Sequence, residues 1–150
     1  MRPDRDTDAI GTARAWLGSF RGPNGLCALL ETCVREEQAL DECMTHGGAG
    51  GVHVQGGTTS DPTAAAALSI MERKRSVEER REGLAHRIEI VGVILAQCPH
   101  GDVLDNYYLQ PDDDVTWSML AREYGVTTRT MLRWRDDGVR WVAEHAVWGW

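Results

Sequence analysis

Long apolar runs are missing from this chain. Its 150 residues contain no stretch of about 18 consecutive apolar side chains, so no membrane-spanning helix and no membrane role are expected. The opening residues, Met1 to Asp8, lack the apolar core of a signal peptide, and a soluble cytoplasmic protein is expected. Paired cysteines are missing too. Cys27, Cys33, Cys43 and Cys98 form no C-x-x-C, and in a cytoplasmic chain they are expected as buried thiols on helix faces. Lysine occurs once against fifteen arginines, a bias of the kind a GC-rich coding sequence produces.

The residues that catalysis or cofactors need are equally sparse. The stretch His46 to Ser60 is rich in glycine, reads as irregular and mobile, and superficially resembles a phosphate loop. It lacks the G-K-[ST] ending that would place a lysine on a phosphate and a hydroxyl on magnesium. No serine sits in a nucleophile-elbow sequence. Cys43 with His46 and His53, or Cys98 with His100, do not assemble four closely held zinc ligands, because half the set lies in the glycine loop. Asp112-Asp113-Asp114 lacks the further spaced oxygens and closing glutamate of a calcium loop. These acids are expected instead near the positive end of the helix beginning near Thr116. No enzyme activity, cofactor or metal is therefore expected.

Positive charge is short as well. The chain carries a net −7, distributed as −3 over 1–46, zero over 47–100 and −4 over 101–150. A locally basic stretch survives within 115–143, where Arg122, Arg129, Arg133, Arg135 and Arg140 face Glu123, Asp136 and Asp137. Phosphate neutralisation supplies most non-specific DNA affinity. A monomer is thus expected to bind DNA weakly and to need a second copy or a protein partner.

What is present is helical. Residues 8–20 form a weak helix candidate, and Gly22-Pro-Asn-Gly25 breaks it. Leu26, Leu30, Cys33, Leu40 and Met44 follow a 4-3 spacing interrupted by Glu37. Asp61-Pro62 opens a long helix to about Cys98. Its apolar residues Ile70, Val77, Leu84, Ile88, Val91, Leu95 and Cys98 repeat that spacing, with Lys74 and Arg81 as exceptions. Two such helices predict an antiparallel hairpin or a dimerising coiled coil. Asp102 would cap a short helix from Val103 to Gln110. The expected fold is all-α: an N-terminal segment over 1–23, a helical hairpin over 24–98 with its flexible loop at 46–60, and a helix-turn-helix domain over 99–150. A break near Gly138 is compatible with the last helix, and Trp117, Trp134, Trp141, Trp148 and Trp150 are expected to pack that domain's core or, at the end, an interface.

The segment from Thr116 to Arg135 carries the functional signal. It reads as a helix, a glycine turn and a second helix. Leu120 and Ala121 suit a close helix crossing, Gly125 a reversal at positive φ, and Val126 a plug between the helices. Thr127 is a good N-cap, and Met131 and Trp134 would face inward. Thr128, Arg129, Thr130, Arg133 and Arg135 are left for the outer side, where arginine can pair with guanine or phosphate and threonine with a base edge.

Leu104-x-x-Tyr-Tyr-Leu109, Thr116-Trp-x-x-Leu-Ala121 and Tyr124-Gly-Val-Thr-Thr-Arg-Thr-Met131 resemble the C-terminal end of RinA/ArpU-type phage transcriptional regulators, which are similar to region four of bacterial sigma factors. Upstream, the glycine loop with Val54-Gln-Gly-Gly57, the Asp-Pro helix start and the long charged helix extend the resemblance over roughly 24–145. It implies a DNA-binding regulator of late phage genes for packaging or lysis. It further implies helix capping by Thr127, groove-facing roles for Thr128, Arg129, Thr130 and Arg133, and a phosphate contact by Arg122. Double-stranded DNA, RNA polymerase and a second copy of the chain are the partners expected. Two other readings share these features: a small terminase-like packaging subunit, and a sigma-mimicking protein that binds RNA polymerase without DNA.

Overall fold

A computed structural model of the chain describes residues 3–44 and 62–145. The glycine loop at 46–60, the Asp61 cap and the terminal Trp148 and Trp150 lie outside the described residues. Six helices and no strand occur among those described: α1 Pro3–Gly18, α2 Leu26–Glu42, α3 Pro62–Ala96, α4 Gly101–Tyr108, α5 Trp117–Glu123 and α6 Thr128–His145. The fold is all-α. No helix is long and apolar enough to cross a membrane. The chain divides into two compact units, one of Leu30–Ala85 and one of Met1–Leu29 with His86–Trp150.

Within the unit Leu30–Ala85, α2 and α3 pack antiparallel as a hairpin. Cys33, Leu40 and Val77 form its buried seam, flanked by Ile70 and Leu84. The charged residues that interrupt the apolar spacing are partners across that seam. Arg81 Nε lies 2.6 Å from Glu37 Oε2, close enough for an ion pair although its N–H does not point along the contact. Lys74 Nζ lies 2.5 Å from Asp41, whose hydrogen bond and charge raise the lysine's pKa. Arg80 reaches Glu36 at 3.8 Å. Arg81 and Glu37 are only 33% and 20% exposed, so water screens them incompletely.

The other unit is built around α6. Its residues Val139 and Val142 meet Ala13 and Leu17 of α1, Phe20 just beyond it, Val91 and Leu95 at the end of α3, Cys98 in the turn that follows, and Leu104 and Tyr108 of α4. The i, i+3, i+4 spacing on each helix makes one apolar stripe per helix. α6 runs unbroken through Gly138, contrary to the break considered there. The glycine answers a packing need. A Cβ at 138 would stand 2.7 Å from Leu104 Cδ1 and 3.1 Å from the Pro99 carbonyl oxygen. The Cys98 thiol donates to the Gly138 and Pro99 carbonyls, both at 3.3 Å. Burial pushes that thiol up to about 11, which keeps it protonated and unreactive at neutral pH. Cys27 and Cys33 are buried as expected, whereas Cys43 is exposed.

One local expectation is corrected. α4 starts at Gly101, two residues earlier than Asp102 capping would require. Its N-cap is His100, in the left-handed region at φ 56°, without a side-chain cap bond. Asp102 sits inside the first turn, where its charge still favours the helix. The acids Asp112 to Asp114 lie just before α5, on the side of its positive end, and none enters its first turn. They form a loop in which Asp112 Oδ1 accepts from the Asp114 N–H at 3.3 Å.

The hairpin pairing predicts opposite signs for single and double changes. Glu37→Leu alone should destabilise the full chain by about 1–2 kcal/mol, since it leaves Arg81 half-buried without its partner. Glu37→Leu with Arg81→Leu should restore or exceed wild-type stability in urea unfolding, because two leucines would complete the seam.

Candidate nucleic-acid interface

α5 begins at Thr116, whose Oγ1 accepts from the Met119 N–H at 3.2 Å. It ends in a Schellman turn. The Val126 N–H donates to the Ala121 carbonyl at 2.9 Å, and the Gly125 N–H to the Arg122 carbonyl at 3.2 Å. Gly125 carries the φ of 70° that this turn demands. Val126 closes the motif by packing against Leu120 and Ala121, together with buried Met131 of α6 and Val103 of α4. Sequence alone was sufficient here because every bond in the turn is local.

α6 is capped in the same manner. The Thr127 Oγ1 accepts from the Thr130 N–H at 3.1 Å, and its hydroxyl donates to Thr130 Oγ1 at 3.0 Å. Thr127 therefore holds the helix start, with its hydroxyl engaged by Thr130. Trp134 is half-buried and stacks on His100, with ring centroids 4.7 Å apart. Tyr124, at the end of α5, is latched to α4: its hydroxyl donates to Asp102 at 3.1 Å and accepts from Asn106 at 2.9 Å. Burial first, then the Asp102 bond, raises the Tyr124 pKa, so the phenol keeps its proton at neutral pH.

These constraints decide which side chains of α6 look outward. Arg129 and Arg133 are exposed and lie one turn apart, so they share a face. Thr128 is exposed in the first turn, and Thr130 is half-buried. Arg122 is exposed on α5. Among the described residues none of these three arginines has a carboxylate within 4.0 Å. The positive end of the α6 dipole lies beside Arg129.

Arg135 goes elsewhere. It follows Arg133 by two residues, roughly 200° around the helix. Its side chain is 23% exposed, and its guanidinium stands 5.7 Å from the Trp117 ring. Its Nη2 and Nε bond Asp136 Oδ1 at 2.8 and 2.9 Å. Arg14 of α1 approaches the same carboxylate at 3.7 Å. Asp136, which counted against phosphate binding in the sequence, is thus partly neutralised by two arginines. Asp137 and Glu144 remain exposed further along α6.

Arg21, which carried no signal in the sequence, organises the approach to this region. Its Nε donates to the Tyr107 carbonyl at 3.1 Å and its Nη2 to the Asp113 carbonyl at 3.0 Å and the Val115 carbonyl. The guanidinium lies 4.0 Å over the Tyr107 ring, whose stacked neighbour is Trp117 at 3.8 Å. The turn after α1 is so tied to the loop before α5. Its bonds span more than 85 positions, which local pattern cannot report.

No group of three or more histidine, cysteine, aspartate or glutamate side chains able to hold a metal ion occurs among the described residues. The chain matches no protein-family model, no curated protein and no solved structure.

Gly125→Ala should cost about 1–2 kcal/mol in urea unfolding, because alanine is strained at positive φ. Gly125→Asn should cost less. Thr127→Ala should cost about 1 kcal/mol through the lost cap. Equal stability of the alanine and asparagine variants would contradict the turn geometry.

Proposed function

We propose that the chain is a phage or prophage transcriptional regulator of late genes, which binds promoter DNA by placing the start of α6 in the major groove. In this reading α5, the Gly125 turn and α6 form a helix-turn-helix. The observation that carries it is the pair of unpaired arginines, Arg129 and Arg133, held on one exposed face of a capped helix. Arg129 and Arg133 read guanine edges or grip phosphates, Thr128 and Thr130 touch base edges, and Arg122 contacts the backbone. Thr127 acts through the cap, and Arg135 supports the fold around Trp117 rather than the groove. The protein works by binding, with no catalytic step assigned to it. The net −7 makes a single copy a weak binder, so a second copy or RNA polymerase completes the affinity.

One observation favours a second reading. Asp137 and Glu144 share the exposed side of α6 with the arginines. A sigma-mimicking protein that binds polymerase without DNA would tolerate those acids.

Selection from a randomised duplex library, followed by anisotropy titration of the recovered duplex, tests the proposal. Wild type should bind with a steep salt dependence. Arg129→Ala with Arg133→Ala should lose about 1–3 kcal/mol per base-reading arginine and flatten the salt slope by about 1–2. Failure to recover any duplex, or a double variant that binds as wild type does, would overturn it. Capture of bacterial RNA polymerase without duplex binding would establish the second reading.

A further inference from the structure

The unit that contains α6 holds an open cavity of about 520 Å³, lined by Arg14, Arg21 and Arg135 together with Tyr108, Trp117 and Asp113. Three guanidiniums line it against Asp113, and Asp136 bonds Arg135 and approaches Arg14 from outside the wall, so the site keeps a local positive excess of one in a chain of net −7. We propose that this cavity binds the phosphate group of a small phosphorylated molecule.

Four observations carry the assignment. The arginines come from three different elements: α1, the turn that follows it, and α6. Donors arriving from three directions suit a tetrahedral phosphate better than a flat carboxylate, which one planar arginine fork would satisfy. Second, all three arginines stand near enough to the Tyr108 phenol for their charge to favour its ionised form, although burial and then Tyr107 raise its pKa overall. Third, two of the three arginines, Arg21 and Arg135, are held in place before any ligand arrives. Arg21 is fixed by three carbonyls through Nε and Nη2, bonds that leave its Nη1 uncommitted. Asp136 holds Arg135 at 2.8 Å and lies 3.7 Å from the more exposed Arg14, without itself lining the cavity wall. Fourth, the volume exceeds that of a bare ion and falls within the roughly 300–1,000 Å³ of small-molecule sites.

The aromatic walls do not invite a stacked base. Tyr107 is already sandwiched between Arg21 and Trp117, and Arg135 lies over Trp117. Phosphate recognition is therefore the primary contact. A duplex seated on Arg129 and Arg133 lies across α6 from Arg135, so the site is separate from the proposed DNA-reading face and does not depend on that reading.

Calorimetric titration of the full chain with inorganic pyrophosphate, in a phosphate-free buffer of low ionic strength, tests the proposal. Wild type should bind saturably at one site per chain. Arg14→Gln, at a position 52% exposed and safe for folding, should weaken binding by about fivefold or more, and Arg135→Gln likewise. Arg75→Gln removes an exposed charge in the other unit and should leave the affinity unchanged. Circular dichroism checks that each variant is folded. No saturable heat up to about 10 mM would overturn the proposal. So would an Arg75→Gln loss equal to that of Arg14→Gln, which would mean diffuse attraction. A short duplex that displaces pyrophosphate, and whose own binding is lost in Arg14→Gln, would assign the site to DNA backbone phosphate instead.

Discussion

α6 packs closely against α4 at residue 138, which has no side chain. A methyl group there would press into Leu104 and the Pro99 carbonyl, a backbone atom that cannot rotate away. The apolar stripe of α6 sets which of its faces is buried. Val139 and Val142 then enter the core shared with α1, α3 and α4, and Met131 enters the smaller cluster under α5. Once those faces are buried, Arg129 and Arg133 are left outward and Arg135 is turned inward. The exposed chemistry of the helix is a by-product of which residues its core requires.

Charge follows the same logic of placement over total. A net −7 argues against nucleic acid only if the acids are free to repel it. Several are not. In the hairpin, Glu37, Asp41 and Glu36 face Arg81, Lys74 and Arg80. In the other unit, Asp136 is held by Arg135 and Arg14. These pairs consume basic side chains equally, so the bulk charge does not change. What changes is that Arg122, Arg129 and Arg133 stand outside such pairs, as do Glu123, Asp137 and Glu144, so the local potential depends on how these free charges are spaced along α5 and α6.

The parts of this architecture that depend on neighbours in sequence were legible. Helix existence followed from the 4-3 spacing, and the Gly125 turn from a glycine, a valine and a threonine in order. The hairpin was legible in outline. Glu37, Lys74 and Arg81 were read as faults in the apolar spacing because a single helix gives no cross-strand register. Packed antiparallel, the faults become partners. The His100 cap escaped because aspartate is the better N-cap by local preference, while the reversal between α3 and α4 fixes the helix start tertiarily. Arg21 and Arg14 escaped for the plainest reason: their partners lie some 90 to 120 positions away.

The order of charges along α6 bears on how such a helix would meet a duplex. Its first two turns carry Arg129 and Arg133, and the positive end of the helix dipole lies beside them. Exposed Asp137 and Glu144 come later, with Arg140 between them. A helix laid full length along the groove would bring both acids near phosphates. A helix entering by its N-terminal end would use the basic turns and keep the acidic ones away. Recognition helices of the helix-turn-helix type contact base edges from their N-terminal residues. The proposed reading therefore requires the end-on approach, and the Gly125 turn and Thr127 cap, which fix that end of α6, are where such an approach needs rigidity.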